Sequence, residues 1–588
     1  MARNTVMRHL PFAKSTTTFQ AISYLLGVAL FSISFLVFLN SSISFVLTDL
    51  LHVKNGIGDI VGTLGFVDEI VALVACPFWG LISDRLGVRF VAMVGYAVIG
   101  LSLFLFVQTS NVYPQLLLAR ILFAIGATAT ATMVTATLPC LTDESDSSDT
   151  DTEPSQLHLH PSNDNRDSVT LSVESEDTIT PERFTRSNST DNSNGNGAGV
   201  PQNTRDRAPG KPSILAGYVG LFTGLGALVS VSVFLPLPNQ FSKIEGVEMG
   251  EAVQYSFYVV GAIAILVASF VYIGLRKLKG EEGKGFRTLF GLKKRLLADG
   301  SEPPRRSFLP YRQLLRQAIV LGFTDSRIGL GYLGGFVARA SSVAISAFIP
   351  LFVNSYYKDL PGGDTPEVQR KAYVLASILT GVAQLFALIC APIFGYLSSR
   401  SGSVDYPIAI ATAFGIVGYA IFPSLSSPEF KNVDGRGGSG GIFVIVALLG
   451  ISQIGAIVCS LGSLGKGVLA TDPYEKGTLP LPLGGDAPFS TQTDGAVEAG
   501  EGASLLGNGN KPQPQTTRVL LKGTIAGVYS WCGGAAILLL TKLGGYLFDV
   551  SSRGAPFYLM AVFNGILLVA TLGVDTVRLA KEHRVNLR

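Results

Sequence analysis

Long runs of apolar residues, separated by shorter polar segments, dominate the pattern along the chain. A hydrocarbon core of about 30 Å needs roughly 20 residues of helix to cross it. Twelve runs are long enough, and buried helices of a water-soluble protein do not account for so many. The pattern therefore predicts an all-α polytopic membrane protein with twelve transmembrane helices, at residues 21–47, 59–82, 88–108, 114–138, 213–236, 254–275, 331–355, 371–397, 405–425, 441–465, 521–547 and 555–577.

The composition agrees with the apolar pattern. Of the 588 residues, 48% are hydrophobic and 15% are charged, with a mean hydropathy of +0.41. Water-soluble proteins carry about 25% charged residues, so much of this chain avoids water. The net charge is only +3, and no basic stripe with interleaved aromatic residues is present. We expect the lipid bilayer as a partner and no nucleic acid.

The distribution of lysine and arginine predicts the orientation. The connection at 276–316 carries twelve basic and four acidic residues, and the tail after residue 577 carries four basic residues. Because short basic loops stay on the cytoplasmic side, both termini are expected there. The predicted organisation of the first part is a cytoplasmic N-terminus (1–20), helices 1–4 (21–138), an acidic loop (141–212), helices 5–6 (213–275) and a basic central loop (276–330). It continues with helices 7–10 (331–465), a second long loop (466–517), helices 11–12 (518–577) and a cytoplasmic tail (578–588).

The two long loops have the composition of disordered segments. Residues 141–212 are acidic and rich in Ser, Thr, Asn and Gly, and residues 466–517 are rich in Gly and Pro. Segments with so few apolar residues cannot form a hydrophobic core. Kinase contacts through these loops are one hypothesis, and a solvated spacer is the other. The sequence Glu501-Gly-Ala-Ser-Leu-Leu506 fits an acidic dileucine sorting signal, which adds a sorting adaptor as a partner. The membrane is expected to be the plasma membrane or a vacuolar or endosomal membrane.

An internal repeat relates the second and eighth predicted helices. Residues 77–87 (PFWGLISDRLG) align without a gap with residues 392–402 (PIFGYLSSRSG), and five positions are identical. Helices two and eight are equivalent only if a unit of six helices repeats in the same orientation. Such parallel repeats, related by an axis along the membrane normal, are a recurring plan of transporters. The repeat therefore predicts two parallel six-helix halves.

Residues 80–89 (GLISDRLGVR) carry a more specific likeness. They resemble the inner-loop signature of the major facilitator superfamily, G-x-L-x-D-R-x-G-x-R/K, and lie between helices two and three, where that family has it. The second copy has Ser399 in place of the acid. The resemblance implies the major facilitator fold and the transport of a small solute, with H⁺ as a second candidate substrate.

The signature residues are interpreted as a conformational latch between the halves. Gly80 permits close helix approach, and Gly87 permits the tight turn. Asp84 is expected to meet the N-terminus of a neighbouring helix or a basic side chain. The alternative is a simple topology anchor. The complete predicted latch consists of Gly80, Asp84, Arg85, Gly87, Arg89, Gly395, Arg400 and Gly402.

Polar residues inside the spans are candidates for coupling or substrate binding, because an ionised group at membrane depth is costly unless paired or hydrated. Asp68 and Glu69 lie in helix two, and Gln384 aligns with Glu69 across the repeat. This alignment favours Glu69 as the residue facing the cavity. Glu69 either takes up a proton during transport or is a packing acid that an arginine neutralises.

Arginines and amides complete the candidate set. Arg120 lies in a segment similar to the family's fourth-helix arginine motif, which is associated with proton coupling in some members, although Phe123 and Ala124 depart from it. Arg339 in helix seven is predicted either to pair with Asp68 or Glu69 or to contact the substrate. Amides in the spans are also candidates, although each is more often an interhelical hydrogen bond; they include Asn40 and Gln453.

The sequence supports no enzymatic site. The five cysteines and five histidines have no metal-type spacing, and no nucleophile–base pair or phosphate-binding loop is evident. We expect no cofactor and no metal. The leading hypothesis is a secondary transporter that works by alternating access. The alternative is a transport-derived membrane sensor or receptor whose cytoplasmic loops recruit partners.

Overall fold

The computed structural model describes residues 10–53, 57–143, 211–279, 281, 284–286, 310–360, 366–402, 404–432, 437–470 and 518–586. All of them belong to one compact unit. Its regular structure, over these residues, is entirely helical. Nearly all of both predicted long loops, the dileucine sequence and much of the central loop lie outside the described residues.

Within the described ranges, twelve helices are long and apolar enough to cross a membrane, which confirms the predicted number. Each coincides with one predicted apolar run, so the chain is an integral, multi-pass membrane protein. In chain order we label them α1 to α12: Thr18–Ile43, Ile60–Leu86, Val88–Phe106, Val112–Thr142, Lys211–Phe241, Met249–Gly274, Ser326–Lys358, Val374–Arg400, Tyr406–Ser424, Gly441–Val468, Lys522–Val550 and Ala555–Arg584.

Local residues fix where two of these helices begin. Gly87 has φ of +96° and separates α2 from α3. Residues with a side chain rarely adopt a positive φ, so the sharp turn between α2 and α3 requires glycine. At the start of α7, Asp325 accepts hydrogen bonds from the backbone N–H groups of Arg327 (2.8 Å) and Ile328 (3.3 Å). This side chain satisfies donors that the first helical turn leaves without a partner.

In the first half, α1 packs against α3 and α4 through tyrosine hydroxyl groups. Tyr24 of α1 donates to the carbonyl of Val134 in α4 (2.7 Å). Tyr96 of α3 donates to the carbonyl of Val28 in α1 (2.8 Å). Both tyrosines are fully buried, so the hydrogen bonds satisfy hydroxyl groups that have no access to water.

In the second half, α7 makes the equivalent contacts to α9 and α10. The hydroxyl groups of Ser341 and Tyr419 are 2.5 Å apart and join α7 to α9. The amide of Gln453 donates to Ser342 Oγ (2.8 Å) and joins α10 to α7. The first, third and fourth helices of each half thus pack in the same way, as two parallel repeats require.

The two halves meet where glycines let helix backbones touch. We call the end of the bundle that carries residues 84–88 and 518–524 the inner end, which the charge pattern predicts to be cytoplasmic. A Cβ atom on Gly80 of α2 would lie 2.6 Å from the carbonyl oxygen of Gly523 in α11. On the other side of the bundle, a Cβ atom on Gly395 of α8 would lie 2.7 Å from the Cα atom of Gly217 in α5.

These two contacts, the α2–α11 and α5–α8 interfaces, are related by the internal repeat. Gly80 and Gly395 occupy matching positions of the two copies, and each contacts a glycine from the other half. Toward the opposite, outer end, the packing is looser. Cβ atoms on Gly62 and Gly65 of α2, or on Gly381 of α8, would meet nothing within 4 Å. The halves are therefore closely packed at the inner end and diverge toward the outer end.

An additional helix, Tyr311–Thr324, precedes α7 and lies within the predicted central loop. We call it the linker helix. Its Leu314 and Ala318 are buried against α7 and α11, and Tyr332 donates to the carbonyl of Ala318 (3.1 Å). The Arg85 guanidinium lies 3.8 Å from the centre of the Tyr311 ring. The linker helix thereby joins the inner end of α2 to the second half.

Replacing Gly80 with alanine tests the close α2–α11 packing. The added methyl group has no space, so we expect Gly80→Ala to lower the unfolding free energy by about 1–3 kcal/mol. Gly65→Ala in the same helix is the matched control, because its methyl group meets nothing; we expect no loss there. The unfolding free energies of the two variants are measured in mixed micelles. Equal values would contradict the close packing of α2 against α11.

Candidate functional site

One face of α2 carries both the predicted latch and the predicted coupling acid. Glu69, Leu73, Cys76, Gly80 and Asp84 follow one another at intervals of three or four residues. Residues at this spacing lie on one side of a helix. The inner part of this face packs against α11, because Gly80 and the carbonyl of Cys76 contact it. Glu69 therefore lies on the same face, farther from the inner end, in the region where the halves diverge.

Asp84 binds the N-terminus of α11. Its carboxylate accepts hydrogen bonds from the backbone N–H groups of Gly523 (2.8 Å) and Thr524 (2.7 Å) and from the Thr524 hydroxyl (2.5 Å). The Asp84 side chain is only 3% exposed. The first turn of a helix offers free N–H groups and a positive dipole end, and both favour a carboxylate. The contact expected from the sequence is present, and its role as a latch remains a prediction.

Lys522 adds an ion pair between the halves at the same place. Its ammonium lies 2.5 Å from Glu281 Oε1 and 2.8 Å from Cys140 Sγ, both in the first half. Lys522 is 2% exposed. The other carboxylate oxygen of Glu281 accepts a hydrogen bond from the backbone N–H of Val88 (2.7 Å). Glu281 thus connects the start of α3 to the start of α11.

Glu281 keeps its negative charge in this buried position. Burial raises its pKa, but the ammonium groups of Lys522 and Lys284 have the larger combined effect and hold the pKa of Glu281 below its usual value. Lys284 lies 3.0 Å from Glu281 Oε1. An ionised carboxylate shared by two lysines makes the inner-end contact a paired charge rather than an isolated one.

The equivalent contact in the second half has no carboxylate. Ser399 occupies the position of Asp84 and donates to a carbonyl of its own helix. The neighbouring Ser398 donates to Ser213 Oγ of α5 (3.2 Å), and Lys466 donates to the carbonyl of Ser398 (2.6 Å). Neutral hydrogen bonds are weaker than charge-assisted ones. The α5–α8 interface is therefore held mainly by close packing.

The second half does reproduce the contact made by Glu281. Asp575 of α12 accepts a hydrogen bond from the backbone N–H of Asp405, just before α9 (3.0 Å). Arg578 pairs with Asp405 at 2.6 Å. In both halves, an acid at the inner end of the sixth helix or just after it binds the start of the third helix. The internal repeat therefore extends to charges that the sequence comparison did not identify.

The remaining predicted latch residues lie near the inner end but make separate contacts. Arg89 donates to the carbonyl of Tyr272 (2.7 Å) and lies 3.9 Å from the centre of its ring. Arg400 lies 4.8 Å from the centre of the Tyr396 ring, within α8. Gly402 has no positive φ and no atoms near its Cβ position. Arg89 and Arg400 thus anchor helices within one half rather than joining the two halves.

Asp68, Arg120 and Asn40 form a hydrogen-bonded cluster within the first half. The Arg120 guanidinium donates to both carboxylate oxygens of Asp68, with Nε at 3.0 and 2.8 Å, and to Asn40 Oδ1 at 2.5 Å. Arg120 is 3% exposed. A bidentate pair of this kind neutralises both charges. Arg120 thus binds both Asp68 and Asn40. Because Asp68 is paired with Arg120, it is not the partner of Arg339.

Glu69 of α2 and Arg339 of α7 are oppositely charged and belong to different halves. Neither forms a hydrogen bond or an ion pair with another residue that the structure describes. They nevertheless interact electrostatically. The stem of Arg339 packs against Gly533 of α11, where a Cβ atom would lie 2.7 Å from Arg339 Cγ. Arg339 thus packs its stem against α11 and makes no ion pair with Glu69 of α2.

The two predicted glutamines occupy different environments. Gln384 is exposed and continues the face of α8 that contacts α5 through Leu388, Ala391 and Gly395. Its position relative to the α5–α8 interface matches that of Glu69 relative to the α2–α11 interface. Gln453 is buried and joins α10 to α7, and its carbonyl oxygen has no hydrogen-bond partner among the described residues.

Lys522, Glu281 and Asp575 are the inner-end residues that the sequence analysis missed. Each lies near the inner end of a span, where lysines, arginines and acids are commonly interpreted as topology signals. Lys522 is the first residue of α11, and Glu281 follows α6 by seven residues. The available signal for Glu281 was a pair of acids, at 281 and 282, inside the otherwise basic segment 276–284.

Removing the Asp84 carboxylate is expected to loosen the inner end. Cys140 is buried beside Lys522, so its reaction with a membrane-impermeant maleimide reports opening there. We expect Asp84→Ala to raise the labelling rate roughly tenfold or more, because charge-assisted hydrogen bonds of about 1.5–3 kcal/mol are lost. Peptide mass spectrometry separates Cys140 from the other cysteines.

The control for this measurement is Arg553→Gln, which removes an exposed ion pair with Asp359 at the outer end. It should leave Cys140 labelling unchanged. An Asp84→Ala protein with the labelling rate of the unmodified chain would show that this carboxylate does not hold the inner end closed.

Comparison with known proteins relates these features to a known fold. A family model for the Major Facilitator Superfamily matches residues 30–147. No curated protein sequence is significantly similar to the chain. Three solved structures share the fold over nearly the whole chain.

The first is the proton:xylose symporter XylE bound to 6-bromo-6-deoxy-D-glucose, with 11% identity, a TM-score of 0.50 and coverage of 94% of both chains. A double tryptophan mutant of XylE has 9% identity, a TM-score of 0.52 and coverage of 94% of both chains. The transporter FucP in its outward conformation has 12% identity, a TM-score of 0.50 and coverage of 95% of this chain and 99% of that one. Such low identities show a shared fold alone. The twelve-helix architecture is therefore the fold of major facilitator transporters, and residues 30–147 also match that superfamily in sequence.

Proposed function

We propose that the chain is a secondary transporter that moves a small solute across the membrane by alternating access. The observation that carries this proposal is the arrangement of the two halves. They contact each other closely at the inner end, through the α2–α11 and α5–α8 interfaces, and diverge toward the outer end. A solute would enter between the diverging outer ends, toward the level of Glu69 and Arg339.

The inner-end contacts are suited to reversible opening. They consist of glycine-backbone packing, the Asp84 hydrogen bonds and the Lys522–Glu281 ion pair. Each neutral hydrogen bond contributes about 0.5–1.5 kcal/mol and each charge-assisted one about 1.5–3 kcal/mol. Two conformations that differ by a few kcal/mol can exchange during a transport cycle. In the alternate state, the outer ends would approach and these inner contacts would separate.

Glu69 is the proposed site of proton coupling. Both Glu69 and Arg120 are candidates from the sequence, but Arg120 binds Asp68 and Asn40 within one half. Glu69 has no such partner and lies on the face of α2 that contacts α11 nearer the inner end. A carboxylate in this position can take up a proton in one state and release it in the other. Arg120 would then hold Asp68 in place and balance its negative charge beside Glu69.

The sensor or receptor hypothesis makes a different prediction about flux. It depends on partner recruitment by the two long loops, which lie outside the described residues. The proposed contacts with kinases and sorting adaptors also depend on these loops. So does the proposed localisation to the plasma membrane or to a vacuolar or endosomal membrane. A transport-derived sensor would bind a solute without moving it, whereas the closed inner end and divergent outer end favour a transporter.

Uptake into proteoliposomes tests the proposal. We expect the purified chain to accumulate at least one member of a panel of labelled sugars, amino acids, carboxylates and amines, with an imposed pH gradient increasing the accumulation. Glu69→Gln should abolish gradient-driven accumulation and spare counterflow exchange, because the amide binds no proton while the conformational change remains.

The matched control is Asp359→Asn, which neutralises an exposed acid at the outer end and should accumulate solute normally. Absence of flux for every solute, with intact recruitment of loop-binding partners, would favour the sensor. Unchanged accumulation by Glu69→Gln would exclude the coupling role of Glu69 and leave transport itself intact.

A further inference from the structure

We propose that a surface at the inner end of α3 and α6 binds the headgroup of an anionic phospholipid. We call this surface the α3–α6 edge. It consists of Arg89, Phe90, Tyr272, Arg276, Lys277 and Phe286. Three features support lipid binding there: the position of the edge at the membrane boundary, the fixed geometry of Arg89 and the contrast with the second half. Lipid binding requires no flux, so it is independent of the proposed transport function.

The α3–α6 edge lies where two neighbouring spans leave the membrane. α3 begins at Val88 and α6 ends at Gly274, and α6 packs against α1 and α3. Exposed side chains of α6 recur at intervals of three or four residues, which places them on one face of the helix. They are Val259, Ala262, Leu266, Ser269 and Ile273. Arg276 continues this spacing just beyond the end of α6. The edge therefore borders the lipid-facing side of α6 at the level of the headgroups.

Arg89 is held in a fixed position at this edge. Its Nε group donates to the carbonyl oxygen of Tyr272 (2.7 Å), and its guanidinium lies 3.9 Å from the centre of the Tyr272 ring. The hydrogen bond and the cation–π contact together restrict the side chain. Among the described residues, this carbonyl is the sole hydrogen-bond acceptor of Arg89, and no acid pairs with it. Both Nη groups therefore remain available to the oxygen atoms of a phosphate.

Arg276 and Lys277 add two cations next to Arg89. The Gln20 side chain of α1 donates to the carbonyl oxygens of Arg276 (2.7 Å) and Lys277 (3.3 Å), which fixes the backbone just after α6. Arg276 follows Tyr272, the residue that binds Arg89, by four positions. Both side chains are exposed, and neither forms an ion pair with a described residue. The edge thus presents three cations for which the described part of the chain supplies no carboxylate.

The second half balances its charge at the equivalent place. Asp405 occupies the position of Phe90 in the internal repeat, and Arg578 of α12 pairs with it at 2.6 Å. Val404 stands where the first half has Arg89. Basic residues at span ends also orient a chain in the membrane, but that role does not require a guanidinium held by specific contacts. The positive charge of the α3–α6 edge is therefore left for an anion outside the protein.

An anionic phospholipid matches the charge of this edge. Glu281 is the first described acid after α6, and its carboxylate is already shared by Lys522 and Lys284. Anionic lipids give the cytoplasmic leaflet a negative surface potential, and the charge pattern predicts that the inner end lies in that leaflet. A headgroup phosphate there would meet the paired N–H donors of the guanidinium groups of Arg89 and Arg276.

The apolar side chains of the edge favour a lipid over a soluble anion. Leu266 and Ile273 of α6 are 68% and 54% exposed, so acyl chains would extend along them. Phe286 is 51% exposed and packs against Phe90, with ring centres 5.3 Å apart. Aromatic side chains at this level are typical of the membrane–water interface. A soluble phosphate would bind the cations but gain nothing from these apolar contacts.

Lipid binding by the purified full-length chain tests the proposal. The probes are phosphatidylserine and phosphatidylcholine with identical acyl chains, added to detergent micelles that hold the chain, and native mass spectrometry measures the bound lipid. We expect phosphatidylserine to bind roughly tenfold more tightly than phosphatidylcholine, with a preference that falls as the salt concentration rises. A phosphatidylserine with a photoreactive headgroup should cross-link to peptides that contain residues 272–279.

Two double variants separate this edge from a general attraction of the inner end. Arg276→Gln/Lys277→Gln removes two exposed cations and keeps the backbone carbonyls that bind Gln20. We expect it to lower phosphatidylserine affinity roughly tenfold and to leave phosphatidylcholine binding unchanged. The matched control is Lys581→Gln/Arg584→Gln, which removes two exposed cations from the inner end of α12. It should bind phosphatidylserine as the unmodified chain does.

Three results would overturn the inference: the two lipids bind equally, Arg276→Gln/Lys277→Gln keeps its phosphatidylserine affinity, or the control variant loses as much affinity. Inorganic phosphate is the probe for a soluble ligand, compared with chloride at the same ionic strength. We expect it not to displace phosphatidylserine. Displacement would show that the edge binds a free anion, which would contradict the assignment to a lipid.

Discussion

The hydrogen bonds from the start of α11 to Asp84 depend on the close approach of two helix backbones. Gly80 and Gly523 allow α2 and α11 to touch, and only at that separation does the Asp84 carboxylate reach the free N–H groups of the first turn of α11. The same approach buries Lys522 against Glu281 and Cys140. The closed inner end depends on this contact together with the α5–α8 interface.

The two interfaces between the halves share a geometry and differ in chemistry. Gly80 and Gly395 occupy equivalent positions and both permit backbone contact. The first interface adds a carboxylate at a helix N-terminus, whereas the second has serines in hydrogen-bonding contact. We infer that the α2–α11 interface contributes more of the free energy that keeps the inner end closed. The candidate coupling acid, Glu69, lies on the same face of the same helix as Asp84, so one continuous helix connects the proposed coupling site to the inner-end contact.

The sequence predicted the features that depend on local pattern. Apolar runs identified all twelve spans, and the repeat at 77–87 and 392–402 identified the parallel halves. The environment of Asp84 was predictable because a short signature carries it. The partner of Arg339 was not, since spacing along one helix does not reveal which residues of other helices lie opposite. Lys522 and Glu281 were missed for a related reason: charges at span boundaries have the same pattern whether they fix topology or join two halves.

A reversible cross-link at the inner end tests the central claim, that these contacts must separate during transport. Ser213 and Ser398, from different halves, have hydroxyl oxygens 3.2 Å apart, so cysteines at both positions are placed to form a disulfide. Uptake by the Ser213→Cys/Ser398→Cys protein is measured before and after reduction. The account predicts that the oxidised protein transports nothing and that reduction restores uptake. Equal uptake by the oxidised and reduced protein would contradict it.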